Sequence, residues 1–171
     1  MKTKIRMFSI VTAALLIFFS ACKKESDGHS TLHVRLTDAP ADYQEVNIDL
    51  QNVSVKLSGD SASWVELEAV PGIYNLLGLQ NGVDTLIGTE LLPKEIVKEI
   101  RLILGSNNTI KVNGIVYPLV IPSGSESGLK IKVDKKLTAA IETLIIDFDA
   151  ALSIHEEGTG DYKLRPVLKI K

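Results

Sequence analysis

The sequence predicts an all-β domain, an antiparallel β-sandwich, that follows a cleaved leader. Apolar and polar residues alternate in many short segments, and this two-residue period is typical of strands with one buried face. Clusters of Gly, Pro, Asn, Asp and Ser separate the segments and supply turns. No convincing long segment has the apolar spacing of a helix. Roughly eight to ten short strands without a long helix favour two packed antiparallel sheets.

The first predicted strand begins at Thr31, where every second residue is apolar: Leu32, Val34 and Leu36. In the second predicted strand, apolar residues alternate from Val46 to Leu50 and again from Val53 to Leu57. Between the two halves, at Gln51-Asn52, the apolar residues change from even-numbered to odd-numbered positions. One extra residue there would restore the buried face, so the pattern predicts a β-bulge.

The clearest local motif is Asn113-Gly114, which stands between two alternating segments. Both central residues of a type I′ turn need positive φ, so this dipeptide predicts a tight hairpin. The longest alternating series runs from Leu144 to Ile154. A last strand is predicted from Tyr162 to Ile170, where Pro166 indicates an edge position or a local break, because proline cannot donate to a ladder.

The start of the chain resembles a bacterial lipoprotein signal peptide. Three basic residues, Lys2, Lys4 and Arg6, precede an apolar run of 15 residues from Met7 to Ala21. That run is shorter than the roughly 20 residues that a membrane-spanning helix needs, although a retained membrane helix is the alternative. The resemblance implies cleavage before Cys22, the only cysteine, and its acylation by chains such as palmitate. Several acyl chains on one residue would hold the protein firmly on a membrane.

The chain therefore divides into a signal peptide (1–21), an acylated cysteine with a flexible tether (22–30) and a single β-sandwich domain (31–171). Removal of the signal peptide leaves 150 residues, which is enough for one domain with a sizeable core. We expect a cell-envelope location, anchored by lipid in the outer membrane and facing either the cell surface or the periplasm.

The net charge argues against nucleic-acid binding, and the single cysteine argues against stabilisation by a disulfide. The signal peptide carries three of the 19 basic residues and none of the 21 acidic ones, so the mature chain has a net charge of −5. A mildly acidic domain without a basic cluster does not predict nucleic-acid binding. With Cys22 acylated, no thiol remains for a disulfide, and the core alone must stabilise the fold.

Catalysis is not predicted. Nucleophilic catalysis requires Ser, Cys or Thr beside a base that a third group orients. The three histidines, His29, His33 and His155, stand singly, and no motif supplies the remaining groups. We therefore expect a protein that is not an enzyme and that uses no organic cofactor.

Two carboxylates suggest a metal site. Asp147 and Asp149 lie two residues apart on a predicted strand, so both would project outward from one face, about 7 Å apart. Ca²⁺ prefers several such oxygens, and further carboxylates from neighbouring loops would have to converge: Asp38 and Asp42, or Glu156, Glu157 and Asp161. The alternative is a solvated face on which Asp147 and Asp149 lie opposite arginines: Arg35, Arg101 or Arg165.

Carbohydrate binding is the leading specific function at this stage. Sugars pack on exposed flat aromatic rings with amides and carboxylates nearby. Tyr43 and Trp64 flank predicted turns and would be exposed together, although half-buried packing is the alternative for Trp64. A structural or adhesion scaffold that binds envelope proteins by strand addition or loop contacts is the rival hypothesis.

Six motifs also resemble a known family when they are taken in order: Leu36-Thr37-Asp38-Ala39-Pro40, Leu76 to Gly82, Leu92-Pro93 with Ile100-Arg101-Leu102, Pro122-Ser123-Gly124 with Ser127 to Ile131, Asp147 to Ala150, and Leu164 to Val167. Together they resemble the domain-of-unknown-function 4382 family of bacterial, Bacteroidetes-type lipoproteins. The resemblance implies an exported β-sandwich of the prealbumin or carbohydrate-binding-like kind. The family has no established activity, so it implies no catalytic residue.

Overall fold

The computed structural model describes residues 28–59, 63–122, 128–158 and 160–171. The predicted signal peptide, Cys22 and most of the predicted tether lie outside the described residues. The described chain is all-β, with two open sheets that do not close into a barrel. No helix in the described ranges has the length and apolar character needed to cross a membrane.

The strands in chain order are β1 (His29–Asp38), β2 (Glu45–Leu57), β3 (Trp64–Glu66), β4 (Glu68–Ala69), β5 (Gly72–Asn75), β6 (Thr85–Pro93), β7 (Ile96–Leu104), β8 (Thr109–Val112), β9 (Ile115–Val120), β10 (Leu129–Lys136), β11 (Ile141–Phe148), β12 (Ile154–Glu157), β13 (Asp161–Leu164) and β14 (Leu168–Ile170). Two single turns of helix interrupt them: a 3-10 helix at Leu76–Leu79 and α1 at Ala150–Ser153.

Strand β1 lies at the centre of a five-stranded sheet with the order β14-β11-β1-β6-β4. The predicted alternation is confirmed, since Leu32, Val34 and Leu36 are fully buried. The residues between them face away from the core because side chains alternate along a strand. β1 pairs in parallel with β11 on one side and antiparallel with β6 on the other.

The larger, nine-stranded sheet is built around β2, its longest strand. One edge of β2 pairs with β3 and β5, and the other edge pairs first with β8 and then with β7. β7 and β8 thus follow one line, which residues 105–108 interrupt. Beyond β8 the order continues through β9 and β13 to β12.

A buried polar cluster holds the interruption between β7 and β8. The carboxylate of Asp49 accepts a hydrogen bond from the backbone N–H of Asn107, and the side-chain oxygen of Asn108 accepts one from the N–H of Asp49 (2.9 Å). A Cβ at Gly105 would collide with the Asp49 carboxylate, so only glycine fits there. The cluster satisfies backbone groups that a regular ladder would otherwise pair.

The two sheets share one hydrophobic core. The five-stranded sheet contributes Leu32, Val34, Leu36, Ile87, Leu144, Ile146 and Phe148, and the larger sheet contributes Val46, Ile48, Leu50, Val53, Val55, Ile100, Leu102, Ile110 and Leu119. The chain crosses between the sheets repeatedly, because β1, β4, β6, β11 and β14 form the smaller sheet and the strands between them in sequence belong to the larger one.

Three local predictions are confirmed. The register of β2 against β7 shifts between Leu50 and Asn52, where the parity change predicted a bulge. Asn113 and Gly114 have φ values of 49° and 79° and connect the paired strands β8 and β9. The segment with Pro166 is broken, because β13 and β14 on either side of it lie in different sheets.

The prediction of an antiparallel sandwich is wrong at two pairings. β1 and β11 are parallel over eight residue pairs, and β9 and β13 are parallel over two. The alternation of apolar residues determines which face of a strand is buried. It carries no information on the direction of the neighbouring strand, which is why the sequence did not reveal these pairings.

Two predicted boundaries also differ from the structure. The series from Leu144 to Ile154 is not one strand, because β11 ends at Phe148 and Ile154 begins β12 in the other sheet. The first strand begins two residues earlier than predicted, since His29 and Ser30 belong to β1 and pair with Pro93 and Leu92. Ser30 is fully buried, so it belongs to the domain and not to the tether.

Candidate functional site

Three aspartates, Asp38, Asp147 and Asp149, meet at the end of the parallel pair β1 and β11. We call them the carboxylate cluster. Parallel strands place their carboxyl ends at the same edge, and the register sets Asp38 opposite Phe148, between the other two aspartates. The three residues are only 2%, 8% and 7% exposed. The prediction that Asp147 and Asp149 project from a solvated face is therefore wrong.

Each carboxylate has a local task in the fold. Asp149 is the N-cap of α1 and accepts a hydrogen bond from Leu152 N–H (3.1 Å). Asp38 accepts hydrogen bonds from Ala150 N–H (2.9 Å) and from the side-chain amide of Gln80 (3.1 Å). Burial raises the pKa of Asp38, these two hydrogen bonds oppose the change, and the like charges of the other two aspartates raise it further.

Two lysines, one on β14 and one directly after it, neutralise two of the carboxylates. Lys169 Nζ lies 3.3 Å from Asp149 Oδ2, and Lys171 Nζ lies 3.2 Å from Asp147 Oδ2. The arginines expected opposite these residues have other roles: Arg35 pairs with Asp84, and Arg165 pairs with Glu157. Within the described part of the chain, Oδ1 of Asp147 is the one oxygen of the cluster that is buried without a hydrogen-bond partner.

This arrangement does not resemble a calcium site. Two of the three carboxylates face ammonium groups, and Asp38 and Asp149 each accept a backbone hydrogen bond. In the described ranges, no group of three or more His, Cys, Asp or Glu side chains is arranged to hold a metal ion. Glu157, one of the additional ligands suggested by the sequence, is paired with Lys163 and Arg165, and the hydrogen bond from Lys163 lowers its pKa. The cluster is explained by closure of the fold.

Tyr43 lies in the loop before β2 and is half-buried against the core. It lines an open depression of about 360 Å³ together with Ala41, Asp42, Gln44, Lys111, Val112 and Asn113. Carboxylate, amide and ammonium groups therefore surround one aromatic ring. An aromatic ring with a few polar groups beside it is a lining that small-molecule sites use.

Trp64 begins β3 and is also half-buried. The guanidinium carbon of Arg101 lies 4.6 Å from the centroid of its ring, so a cation already covers one face of the indole. The guanidinium also donates to Ser54 Oγ (3.1 Å), which holds the stack in place. The half-buried alternative for Trp64 is what the structure shows.

Tyr43 and Trp64 do not form one platform. β2 has 13 residues, which span about 40 Å at the usual rise of a strand. Tyr43 precedes its first residue, whereas Trp64 pairs with Lys56, its last residue but one. The two aromatic residues lie at opposite ends of the larger sheet, so a ligand that stacks on one does not reach the other.

A surface that the sequence analysis did not single out lies on β9. Val116 and Val120 are 59% and 56% exposed, and Pro118 between them is exposed as well. We call these three residues the β9 stripe. They point away from the core because Leu119 and Tyr117, which alternate with them, point into it. The alternation in the segment after Asn113-Gly114 places these three residues on one face of the strand. Both faces of the segment are apolar, however, so the sequence does not tell which face the core covers.

The β9 stripe stands between two shallow depressions. One, of about 420 Å³, is lined by the end of β7, the segment 105–108 and the end of β9: Ile103, Leu104, Gly105, Ser106, Asn108, Pro118, Leu119, Val120 and Ile121. The other, of about 180 Å³, adds charge through Glu157, Asp161 and Lys163. In the ladders, Val116 lies beside Lys111 and Val120 beside Lys163. An apolar ridge flanked by charged residues is typical of a protein-contact surface.

Comparison with known proteins adds one finding. Residues 29–166 match a family described as "Domain of unknown function (DUF4382)". Comparisons with curated proteins and with solved structures gave no match in either case. The matched region begins with the first residue of β1 and covers more than half of the chain. The chain therefore belongs to the domain-of-unknown-function 4382 family.

Proposed function

We propose that this protein is a lipoprotein of the cell envelope, of Bacteroidetes type, whose domain is a non-catalytic module that binds protein partners. Cleavage before Cys22 and acylation of that residue would anchor it to the outer membrane. The domain would be a β-sandwich of the prealbumin or carbohydrate-binding-like kind. The basic start, the 15-residue apolar run and the single cysteine after Ser20-Ala21 support the anchor.

The β9 stripe is the observation that favours protein partners over carbohydrate. Its residues form an apolar ridge on an open sheet face, and apolar surface of this kind is stabilised by contact with another apolar surface. By contrast, every described Tyr, Trp and Phe residue is at least half-buried. A flat sugar platform needs an exposed ring, which the described part of the chain does not present.

Carbohydrate binding stays a second candidate because of the depression around Tyr43. There, one ring is surrounded by Asp42, Gln44, Lys111 and Asn113, which offer both donors and acceptors. A short glycan would fit this depression better than an extended one, because Trp64 lies at the far end of β2.

The non-catalytic part of the proposal has structural support as well. His33 and His155 lie on β1 and β12, which belong to different sheets. The buried carboxylates of the cluster accept hydrogen bonds from backbone groups of α1 and pair with lysines. These groups perform structural tasks and do not converge on an open cleft.

A capture experiment tests the proposal. The full-length protein is used as bait in an outer-membrane extract, in parallel with a Val116→Lys/Val120→Lys variant and a matched Val83→Lys control. Val83 is 51% exposed and lies outside the stripe. We expect the wild type and the control to retain the same proteins, and the stripe variant to retain at least about tenfold less, because each lysine removes apolar contact and adds a charge that must be desolvated.

Equal capture by the stripe variant would contradict a role for the β9 stripe. If free sugars released the captured material from the bait, and if a Tyr43→Ala variant no longer showed this release, carbohydrate binding would replace protein binding as the proposed function. A bait whose mass shows an unprocessed leader would refute the anchor instead.

A further inference from the structure

Two exposed aliphatic side chains lie on either side of β1, at the end of the five-stranded sheet where β1 begins. Thr31 on β1 pairs with Leu91 on β6 and with Ile141 on β11, so the three residues form one row across three neighbouring strands. We call them the entry row. Their side chains share the outer face, because Leu32 and Leu92 next to them are buried. Leu91 and Ile141 are 59% and 61% exposed, among the largest values for aliphatic residues in the described part of the chain.

The entry row surrounds the point where the chain enters the domain. The carbonyl of Gly28 accepts a hydrogen bond from Lys94 N–H (2.8 Å), and Thr31 N–H donates to the carbonyl of Ala140 (2.9 Å). The turn after β6 and the turn before β11 therefore flank the entering strand on both sides. Other exposed residues of these two turns are Pro93, Thr138, Ala139 and Ala140.

Exposed lysines lie at the same end. Lys94 is in the turn after β6, and Lys136 pairs with Ile96 at the start of β7. The acidic side chains of this end are largely turned inward. Glu142 accepts hydrogen bonds from Thr138 and Ala139 and pairs with Lys135, while Glu95 is half-buried. The outward-facing groups are thus mainly aliphatic and basic.

The chain that precedes the domain limits how far this end lies from the anchor. Five residues separate Cys22 from Gly28, which makes six steps along the chain. Even a fully extended chain of that length spans only about 20 Å. If Cys22 is acylated, as the proposed function requires, then the entry row is the surface of the domain that is held nearest to the lipid.

We propose that the entry row is a membrane-contact surface, with Leu91 and Ile141 in the interfacial zone of a phospholipid bilayer and Lys94 and Lys136 at the headgroup phosphates. This inference rests on the lipid anchor of the proposed function. Aliphatic side chains gain free energy at the boundary between headgroups and acyl chains, and nearby lysines reach anionic headgroups with their flexible stems. The contact would fix the orientation of the domain and point the opposite end of β1 away from the membrane.

The test uses the processed, acylated protein, expressed from the full-length sequence, in vesicles of phosphatidylethanolamine and phosphatidylglycerol that contain lipid-borne quenchers. Because Cys22 is the only cysteine and would be blocked by acylation, one new cysteine can carry a single fluorophore. The labelled variants are Leu91→Cys, Ile141→Cys and the matched control Leu152→Cys. Leu152 is a similarly exposed aliphatic residue (55%) in α1, beyond the other end of β11.

We expect quenching at positions 91 and 141 to be roughly twofold or more above that at 152, with a blue shift of emission at the first two positions only. Equal, weak quenching at all three positions in protein that still floats with the vesicles would overturn the inference and leave the anchor intact. Protein that does not float with the vesicles would refute the anchor and the inference together.

Two further outcomes would also overturn it. Strong quenching at position 152 would indicate non-specific insertion. Shielding of positions 91 and 141 without vesicles, increasing with protein concentration, would identify a second copy of the chain as the occupant. Unchanged melting temperatures of the three variants before labelling confirm that each domain is folded.

Discussion

The parallel pairing of β1 with β11 runs from Thr31 and Ile141 to Asp38 and Phe148, and its two ends are built in opposite ways. At the carboxyl end, the carboxylate cluster is buried, although its side chains are polar. At the amino end, Leu91 and Ile141 of the entry row are exposed, although they are aliphatic. Hydrogen bonds and two lysines account for the first arrangement. No packing partner within the described chain covers the second, which suggests that one end closes the fold and the other end faces outward.

The largest expected difference between the two ends is in the free energy of unfolding that is lost when one apolar side chain of β11 is truncated. Phe148→Ala should lower the free energy of unfolding by about 3–5 kcal/mol, because Phe148 is fully buried and the change leaves a cavity. Ile141→Ala on the same strand should change it by no more than about 0.5 kcal/mol, because Ile141 is 61% exposed. Urea unfolding measures both values.

If Ile141→Ala proved as costly as Phe148→Ala, the entry row would be part of a packed interface in solution and the contrast between the ends would be lost. A small effect of Phe148→Ala would show that the core relaxes around the cavity.

A smaller effect is expected from the helix cap at the carboxyl end. Asp149→Ala removes the acceptor for Leu152 N–H and should cost about 1 kcal/mol, within the usual range for N-caps. Asp149→Asn is the matched control, because it keeps the acceptor oxygen and loses only the charge that faces the half-exposed Lys169. Thermal unfolding should therefore rank the wild type close to the Asn variant and above the Ala variant. Equal melting of the Ala and Asn variants would indicate that the charge, and not the cap, matters.

The smallest expected effects are changes of stability with pH, which run in opposite directions at the two ends. Backbone N–H groups of Ala139 and Thr138 lower the pKa of Glu142 from an ordinary 4.5 to about 2. The ionised form is thus favoured in the folded state, so this group contributes stability above pH 4.5 that is lost as the pH falls towards 2. Burial raises the pKa of Asp38 above 3.8, so its contribution is present below pH 3.8 and is lost as the pH rises through the raised pKa.

Glu142→Gln should therefore lower the melting temperature at pH 7, with a difference that shrinks on acidification. Asp38→Asn should raise the melting temperature at pH 7 or leave it unchanged, since the amide oxygen still accepts from Ala150 N–H. Scans between pH 2 and pH 7 check both. Parallel curves for a variant and the wild type would refute the assigned cause for that residue.

Much of the fold was predictable because it depends on local patterns. The buried face of β1, the bulge at Gln51-Asn52 and the Asn113-Gly114 hairpin all follow from residues close together in sequence. The parallel pairing of β1 with β11 joins residues far apart and has no local signature. The end of β11 was not predicted, because Asp149, Leu152 and Ile154 continue the alternating pattern of the strand although the backbone there forms α1.

The candidate surfaces were less predictable, because alternation identifies a face without telling what covers it. Val116 alternates with residues that face the core, but no local pattern indicates that it is 59% exposed rather than covered by another element. Tyr43 and Trp64 both flank turns, but only the register of β3 on β2 reveals that they lie at opposite ends. Asp147 and Asp149 were placed on a solvated face, whereas the return of β14 beside β11 brings lysines against them.

The pairing of Thr31 with Ile141 has a consequence for how the chain reaches this structure. These partners are 110 positions apart, so the middle of the smaller sheet cannot assemble until most of the polypeptide has been made. Closing so long a loop is entropically costly, and proteins dominated by such distant contacts fold slowly. A slowly folding chain stays extended for longer, and an extended chain is what a secretion channel can thread. If the protein is exported, as we propose, the same pairing that closes the domain would also keep the chain unfolded long enough for translocation.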